Sequence, residues 1–179
     1  AIETVRRAGL VMTQPEIVPM MTRKMTIKEM YNINLFFQQL NKTKDKTEII
    51  GNDVEFSDDG RIFILTGPNQ GGKTTYTTAI GLVQILGQAG LHVPATHAEI
   101  SPVDAIYTHF ATEERPNLEA GRLGEEARRL NDIFKQATRH SLVLLNESLA
   151  STSATESLFL ARDVIRAFRL LGVRGIFAT

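Results

Sequence analysis

The residues Gly67-Pro68-Asn69-Gln70-Gly71-Gly72-Lys73-Thr74 follow the apolar segment Arg61–Thr66 and fit the pattern G-x-x-x-x-G-K-[ST]. The chemistry of that spacing is phosphate binding. Glycines let the backbone wrap so that successive N–H groups point at phosphate oxygens. A helix starting at the end of the loop turns its partial positive charge on the same anion. Lys73 reaches the β- and γ-phosphates, and the Thr74 hydroxyl is a ligand for Mg²⁺. Pro68, Asn69, Gln70 and Thr75 share the loop and its exit. A glycine-rich turn with a stray lysine would need neither the strand before the loop nor the helix after it.

A second feature is Asn146-Glu147, which ends the apolar run Ser141–Leu145. A nucleotide-hydrolysing site of this kind places an acid at the end of another buried strand, near Mg²⁺. Glu147 is placed to orient and deprotonate an attacking water. The position before it is ordinarily Asp. Asn146 offers a carbonyl oxygen without charge, so it serves Mg²⁺ through a bound water and predicts weaker metal binding and slow turnover.

The elements around these residues read as strands alternating with helices. Val54-Glu55-Phe56 alternates, Ser57-Asp58-Asp59-Gly60 reads as a hairpin turn, and 61–66 as a buried strand. Helices are predicted over 72–89 (Tyr76, Ile80, Val83, Leu86), 123–138 (Leu123, Ala127, Leu130, Phe134) and 154–171 (Leu158, Ala161, Ile165, Phe168). Further strands are expected at 104–108, 141–145 and 175–178. This is an α/β pattern with a mainly parallel sheet covered on both faces and an antiparallel hairpin nearer the N-terminus. Residues 27–40 fit helix or loop, with Asn32 and Asn34 blurring the period, and 41–47 read as a polar loop. All five methionines lie within 12–30 and are expected to fill core gaps.

The runs LTGPNQGGKTTY, GLHVPATHAEISPVDAIYTHFAT, ATRHSLVLLNE and the final FAT resemble the ATPase domain of the MutS DNA mismatch-repair family over residues 45–179. That resemblance implies an ABC-type P-loop NTPase fold, ATP and Mg²⁺ as ligands, and a homodimer in which two subunits sandwich two nucleotides. It also implies coupling of nucleotide state to DNA held by domains outside this segment. The family's signature segment aligns with Gly121-Arg122-Leu123, at a helix start that faces the partner's nucleotide. Gly121 offers a bare N–H there, Arg122 a charge, and Glu126 keeps the family acid. Thr152 and Ser153, in the loop after Glu147, fall on the dimer face. The family's base-stacking aromatic aligns with Ile49, which implies aliphatic packing on adenine. Glu113 and Glu114 align near the γ-phosphate side; a solvated acidic loop fits them equally. The family's switch histidine comes after the FAT run.

Twenty basic and twenty acidic residues cancel, so a strongly basic nucleic-acid-binding domain is not indicated. With no cysteine, disulfides, zinc–thiolate sites and thiol catalysis are excluded. His92, His97, His109 and His140 lack metal-ligand spacing and read as structural or surface groups. No apolar run is long enough to cross a membrane, and no signal peptide opens the chain, so the cytoplasm is expected. The ends read as cuts in a longer protein, with residues 1–44 closing a preceding domain and leading into an ATPase domain at 45–179. Two functions remain open: Mg-dependent ATP hydrolysis, or a nucleotide-gated dimerisation module with negligible turnover. The lack of an LSGGQ-like segment argues against a transporter or chromosome-structure ATPase.

Overall fold

The computed structural model describes residues 2–40, 48–58, 61–68, 70–110, 119–146 and 154–179, the side chains of 119–123 and 154–156 excepted. In chain order the elements are α1 (Ile2–Arg7), β1 (Glu16–Ile17), β2 (Met25–Met30), α2 (Ile33–Leu40), β3 (Asn52–Phe56), β4 (Ile62–Leu65), α3 (Lys73–Gln88), β5 (His97–Ile100), β6 (Ile106–Phe110), α4 (Glu119–Gln136), β7 (Leu142–Asn146), α5 (Ala154–Leu171) and β8 (Arg174–Ala178). They form two compact units, one of residues 1–60 and 74–102, the other of 61–73 and 103–179.

The first unit carries a mixed sheet in the order β1-β5-β2-β3. β1 runs parallel to β5, and β2 runs antiparallel to both β5 and β3. β2 occupies part of the segment 27–40, whose period fits neither structure cleanly. Met25 and Ile27 alternate inward as a strand requires. The register then shifts between Ile27 and Met30, with Glu29 at φ 50°, and this bulge turns Met30 inward as well. Met12, Met25 and Met30 fill the core as expected, whereas Met20 and Met21 lie exposed in a single 3₁₀ turn. Residues 1–40 do not stand apart from the rest of this unit, since Val5, Met12, Tyr31, Ile33 and Phe36 cluster with Ile49 and with Leu82 of α3.

β3 and β4 do not pair as the hairpin expected from residues 57–60 requires. β3 pairs with β2, while β4 lies in the other sheet and runs parallel to β8. The two patterns were distinct: Val54 and Phe56 alternate with polar residues, as on a one-sided antiparallel sheet, whereas 62–65 is continuously apolar. β4 is also less buried than its composition predicts. Among the described residues it has a strand neighbour on one side only, and Phe63 and Ile64 are exposed.

The second unit is built on a fully parallel sheet in the order β4-β8-β7-β6. α4 and α5 cover one face through Leu130, Ile133, Phe134, Val164 and Phe168, packed on Val143, Leu145 and Phe177. Leu142, Leu144 and Ile176, pointing the other way, are buried too. α5 matches its predicted bounds, but Leu158 is exposed rather than core, as is Ala127 on α4. An 18-residue helix is about 27 Å long and a five-residue strand about 16 Å, so α5 overhangs the sheet. Leu158 and Leu170 lie about 100° or more around the helix from the Val164–Phe168 stripe and are exposed.

At the N-terminal edge of this sheet, Asp104 ties the end of α4 to the start of β7. Its carboxylate accepts hydrogen bonds from the Thr138 hydroxyl and, at 2.7 Å, from Ser141 Oγ. Partial burial pushes the Asp104 pKa up, but these bonds, the Ala105 N–H and nearby His140 outweigh it and hold the carboxyl below its ordinary value. A depressed carboxylate pKa stabilises the fold above the unfolded-state value near pH 4 and loses that contribution as pH falls through the folded value. Asp104→Asn is therefore expected to cost about 1 kcal/mol at pH 7, kept small by exposure, with the gap to the unmutated protein closing towards pH 3. Urea midpoints across pH 3–7 measure it, and a gap that widens on acidification would contradict the assignment.

Candidate functional site

All four strands of the parallel sheet end on one edge and in one row. Leu65 pairs with Ala178, Ala178 with Asn146, and Asn146 with Phe110. The glycine loop leaves from the first of these strands, Thr179 from the second and Glu147 from the third. The Thr179 N–H donates to the Leu65 carbonyl at 3.0 Å and extends the row by one residue. The carboxyl edge of a parallel sheet, where loops diverge, is where α/β proteins bind ligands. The strand order brings the ends of β4 and β7 to the two sides of β8.

The loop itself has a defined shape. The Gly71 N–H donates to the Pro68 carbonyl at 3.1 Å, closing a four-residue turn, with Gln70 at φ 67°. A Cβ on Gly71 would stand 2.9 Å from the Pro68 oxygen, which leaves no room for a side chain. Gly72 has φ 83°, a conformation that L side chains rarely adopt. Gly67, Pro68, Gln70, Gly71, Gly72 and Thr74 are exposed, and Thr75 is half-buried. Lys73 is the exception at 6 % exposure. It folds back beneath the loop and donates from Nζ to the Gly67 carbonyl at 2.6 Å and the Pro68 carbonyl at 3.1 Å. α3 begins at Lys73, so its first N–H groups lack helical acceptors at the loop exit.

Asn146 is the last residue of β7 and is buried. By the pleat it points to the face opposite Leu145, away from α4 and α5. His109 pairs with Leu145 and shares the α4 face. The spacing of the histidines suggests a structural or surface group at this position. It is buried, and burial pushes its pKa down, against the raising effect of Glu126 and with Arg129 adding to the fall. Glu126 thus faces His109 from α4.

Other expected site residues are placed differently or lie outside the described structure. α4 starts at Glu119 rather than at 123, so Gly121 and Arg122 fall within its first turn, and Gly121 is the last residue there whose backbone N–H has no helical acceptor. Ile49 is half-buried against the cluster around Phe36 in the first unit. Asn69, Glu113, Glu114, Glu147, Thr152 and Ser153 lie outside the described residues. Among the described residues no helix is long and apolar enough to cross a membrane, and no three His, Asp or Glu side chains gather as metal ligands. The inserted position of β8 and the burial of Lys73 were not visible in the sequence, because strand order carries no local signal.

The model of the family "MutS domain V" matches residues 63–179. The chain is 36 % identical over 140 residues to DNA mismatch repair protein MutS 2 of Halobacterium salinarum, covering 75 % of the chain and 16 % of that protein. It is 35 % identical over 154 residues to DNA mismatch repair protein MutS of Prochlorococcus marinus, covering 84 % and 16 %. It is 32 % identical over 131 residues to Endonuclease MutS2 of Streptococcus uberis, covering 73 % and 17 %. The chain thus spans about one sixth of the length of these relatives. On the family match and these identities together, the chain belongs to the MutS domain V family.

Proposed function

We propose that this chain is an ABC-type P-loop ATPase domain that binds Mg-ATP and hydrolyses it to ADP and phosphate, coupling nucleotide state to DNA held elsewhere in a MutS-like protein. The observation that carries the proposal is the common row of strand ends. It sets the glycine loop with its buried Lys73 and the attachment point of Glu147 on one edge of the sheet. Gly67, Pro68, Asn69, Gln70, Gly71, Gly72, Lys73, Thr74 and Thr75 form the phosphate cradle, and Ile49 is assigned to the adenine.

The Thr74 hydroxyl and the Asn146 amide supply oxygen donors, the kind Mg²⁺ prefers, with Asn146 acting through a bound water. Mg²⁺, when bound, neutralises charge on the β- and γ-phosphate oxygens. Glu147 accepts a proton from water as the water oxygen bonds to the γ-phosphorus. The bond from that phosphorus to the β-phosphate oxygen then breaks, and ADP leaves. Lys73 holds the charge that develops. Gly121, Arg122, Thr152 and Ser153 are assigned to the face that meets a second copy, completing its site. Phosphate release from Mg-ATP, measured over a range of protein concentrations, tests the whole. Specific activity that rises with concentration is expected. Flat activity at the level of Lys73→Ala would overturn hydrolysis by a composite site.

The second reading, a nucleotide-gated dimerisation module, is favoured by one observation: the residue at the end of β7 is an uncharged, buried Asn146. Asn146→Asp tests how far that holds. A buried carboxylate without a cation is costly, so the variant is expected to melt earlier without ligand. It should gain more than the unmutated protein from Mg-ADP, and turn over several-fold faster. Unchanged melting and turnover would mean that the amide already suffices.

A further inference from the structure

Asn32 disturbs the apolar pattern of residues 27–40, and its side chain is almost fully buried. Its bonds explain both facts. Oδ1 accepts the N–H groups of Asn34 at 3.0 Å and Leu35 at 3.2 Å, which makes Asn32 the N-cap of α2. Nδ2 donates at 3.0 Å to the carbonyl of Thr75, in the first turn of α3. Two donors on one side and a carbonyl on the other leave only one orientation for the amide. The same turn has a second tie, from the Tyr76 hydroxyl to the Asp53 carbonyl at 2.8 Å. Asp53 is itself fixed by the Glu29 N–H at 2.9 Å and Lys28 Nζ at 3.0 Å. Below the turn, α2 packs Ile33 and Phe36 into the cluster that includes Leu82 of α3.

We infer that Asn32 is a positioning residue for phosphate binding: by joining the N-cap of α2 to the Thr75 carbonyl, it sets the aim of the first turn of α3, from which Thr74 projects. This rests on the phosphate-binding reading of the glycine loop. A carbonyl oxygen has two lone pairs, so Thr75 can serve its own helix and Asn32 together. The peptide so held joins Thr75 to Tyr76, one residue beyond Thr74, and a small rotation of that turn swings the Thr74 hydroxyl off the phosphates. Residues 25–40 thereby gain a role in ligand binding beyond filling a core.

Asn32→Ser separates the two bonds. Serine caps a helix as well as asparagine does but is too short to reach Thr75. Mg-ADP titrated calorimetrically into the full chain reads the consequence, with circular dichroism and melting temperature alongside. Expected is a Kd raised about three- to tenfold, the worth of one hydrogen bond, at unchanged helicity and nearly unchanged melting. Asn32→Asp, which also keeps the cap but cannot donate, should weaken binding at least as much. Equal Mg-ADP affinity in all three proteins overturns the role of Asn32 alone. Variants that lose the fold overturn it too, since Asn32 would then act on stability. No Mg-ADP binding by the unmutated chain overturns the phosphate-binding reading beneath it.

Discussion

Lys73→Ala is expected to lower phosphate release from Mg-ATP by at least about a hundredfold while moving the melting temperature by only a few degrees. The two halves of that expectation have separate causes. In the structure described, Nζ is satisfied by the carbonyls of Gly67 and Pro68, which belong to exposed residues. When the lysine is removed, water can take over both oxygens, so neither is left buried and unpaired. Alanine also suits the first turn of a helix. Function has no such substitute. A triphosphate entering the loop exchanges two neutral acceptors for charged ones, and charge-assisted bonds are roughly twice as strong. They strengthen further as charge develops on the transferring group. Lys73→Arg is expected to fail nearly as badly, because a planar fork does not fit a path shaped for a point charge. Retention of turnover within a few-fold in Lys73→Ala would sink the site. Loss of the fold would show that the lysine is structural.

Phe168→Ala is expected to destabilise the protein by about 3–5 kcal/mol, the range for deleting a buried aromatic side chain. For a chain of this size that corresponds to a fall in melting temperature on the order of 10 °C. The site argues for the upper half of the range. Phe168 is fully buried and meets Phe134 edge-on, with centroids 5.6 Å apart at 70°. On its other side the ring lies against Gly175: a Cβ there would stand 2.8 Å from Phe168 Cε2 and 2.9 Å from the Val143 carbonyl oxygen. Glycine has no side chain to move into the space the ring vacates, and β8 cannot shift without breaking its register on both neighbours. The cavity therefore cannot collapse. Leu158→Ala on the same helix is the control: the side chain is exposed and its loss should cost under about 0.5 kcal/mol. Urea unfolding of both variants measures the contrast, and similar losses would contradict the packing described.

The sequence made the chemistry-bearing loop and the helices plain because both have short-range signals. Glycine spacing with Lys73 and Thr74 is such a signal, and so is the 3.6-residue period of α3 and α5, whose bounds agree with expectation within a residue or so. What was missed is long-range. Residues 57–60 look like a hairpin turn, yet β3 and β4 belong to different sheets, and no local pattern says which distant strand each will meet. β2 was obscured by its bulge at Glu29, which breaks the period of two. Asn32 looked like noise in an apolar segment because its value lies in a carbonyl far along the chain. His109 fits a structural or a surface group by its spacing, and its burial selects the structural one, which no neighbour in the sequence foretells. Glu126, noted through family likeness, turned out to face that histidine.

The pairing of β4 with β8 also has a consequence in time. Ile62 meets Gly175 and Leu65 meets Ala178, so the strand that carries the glycine loop acquires its only described strand partner from more than half the chain away. Contacts of such separation are slow to form. At about 5–20 residues per second, a ribosome leaves β4 without that partner for on the order of ten seconds after its synthesis. In that interval Ile62, Phe63, Ile64 and Leu65 form an apolar strand with open edges, the kind of segment that pairs with the wrong neighbour. The loop after it gains a fixed frame only when residues 174–178 arrive. We expect nascent chains stopped before that point to bind holding chaperones through 61–65, and chains carried past it to let them go.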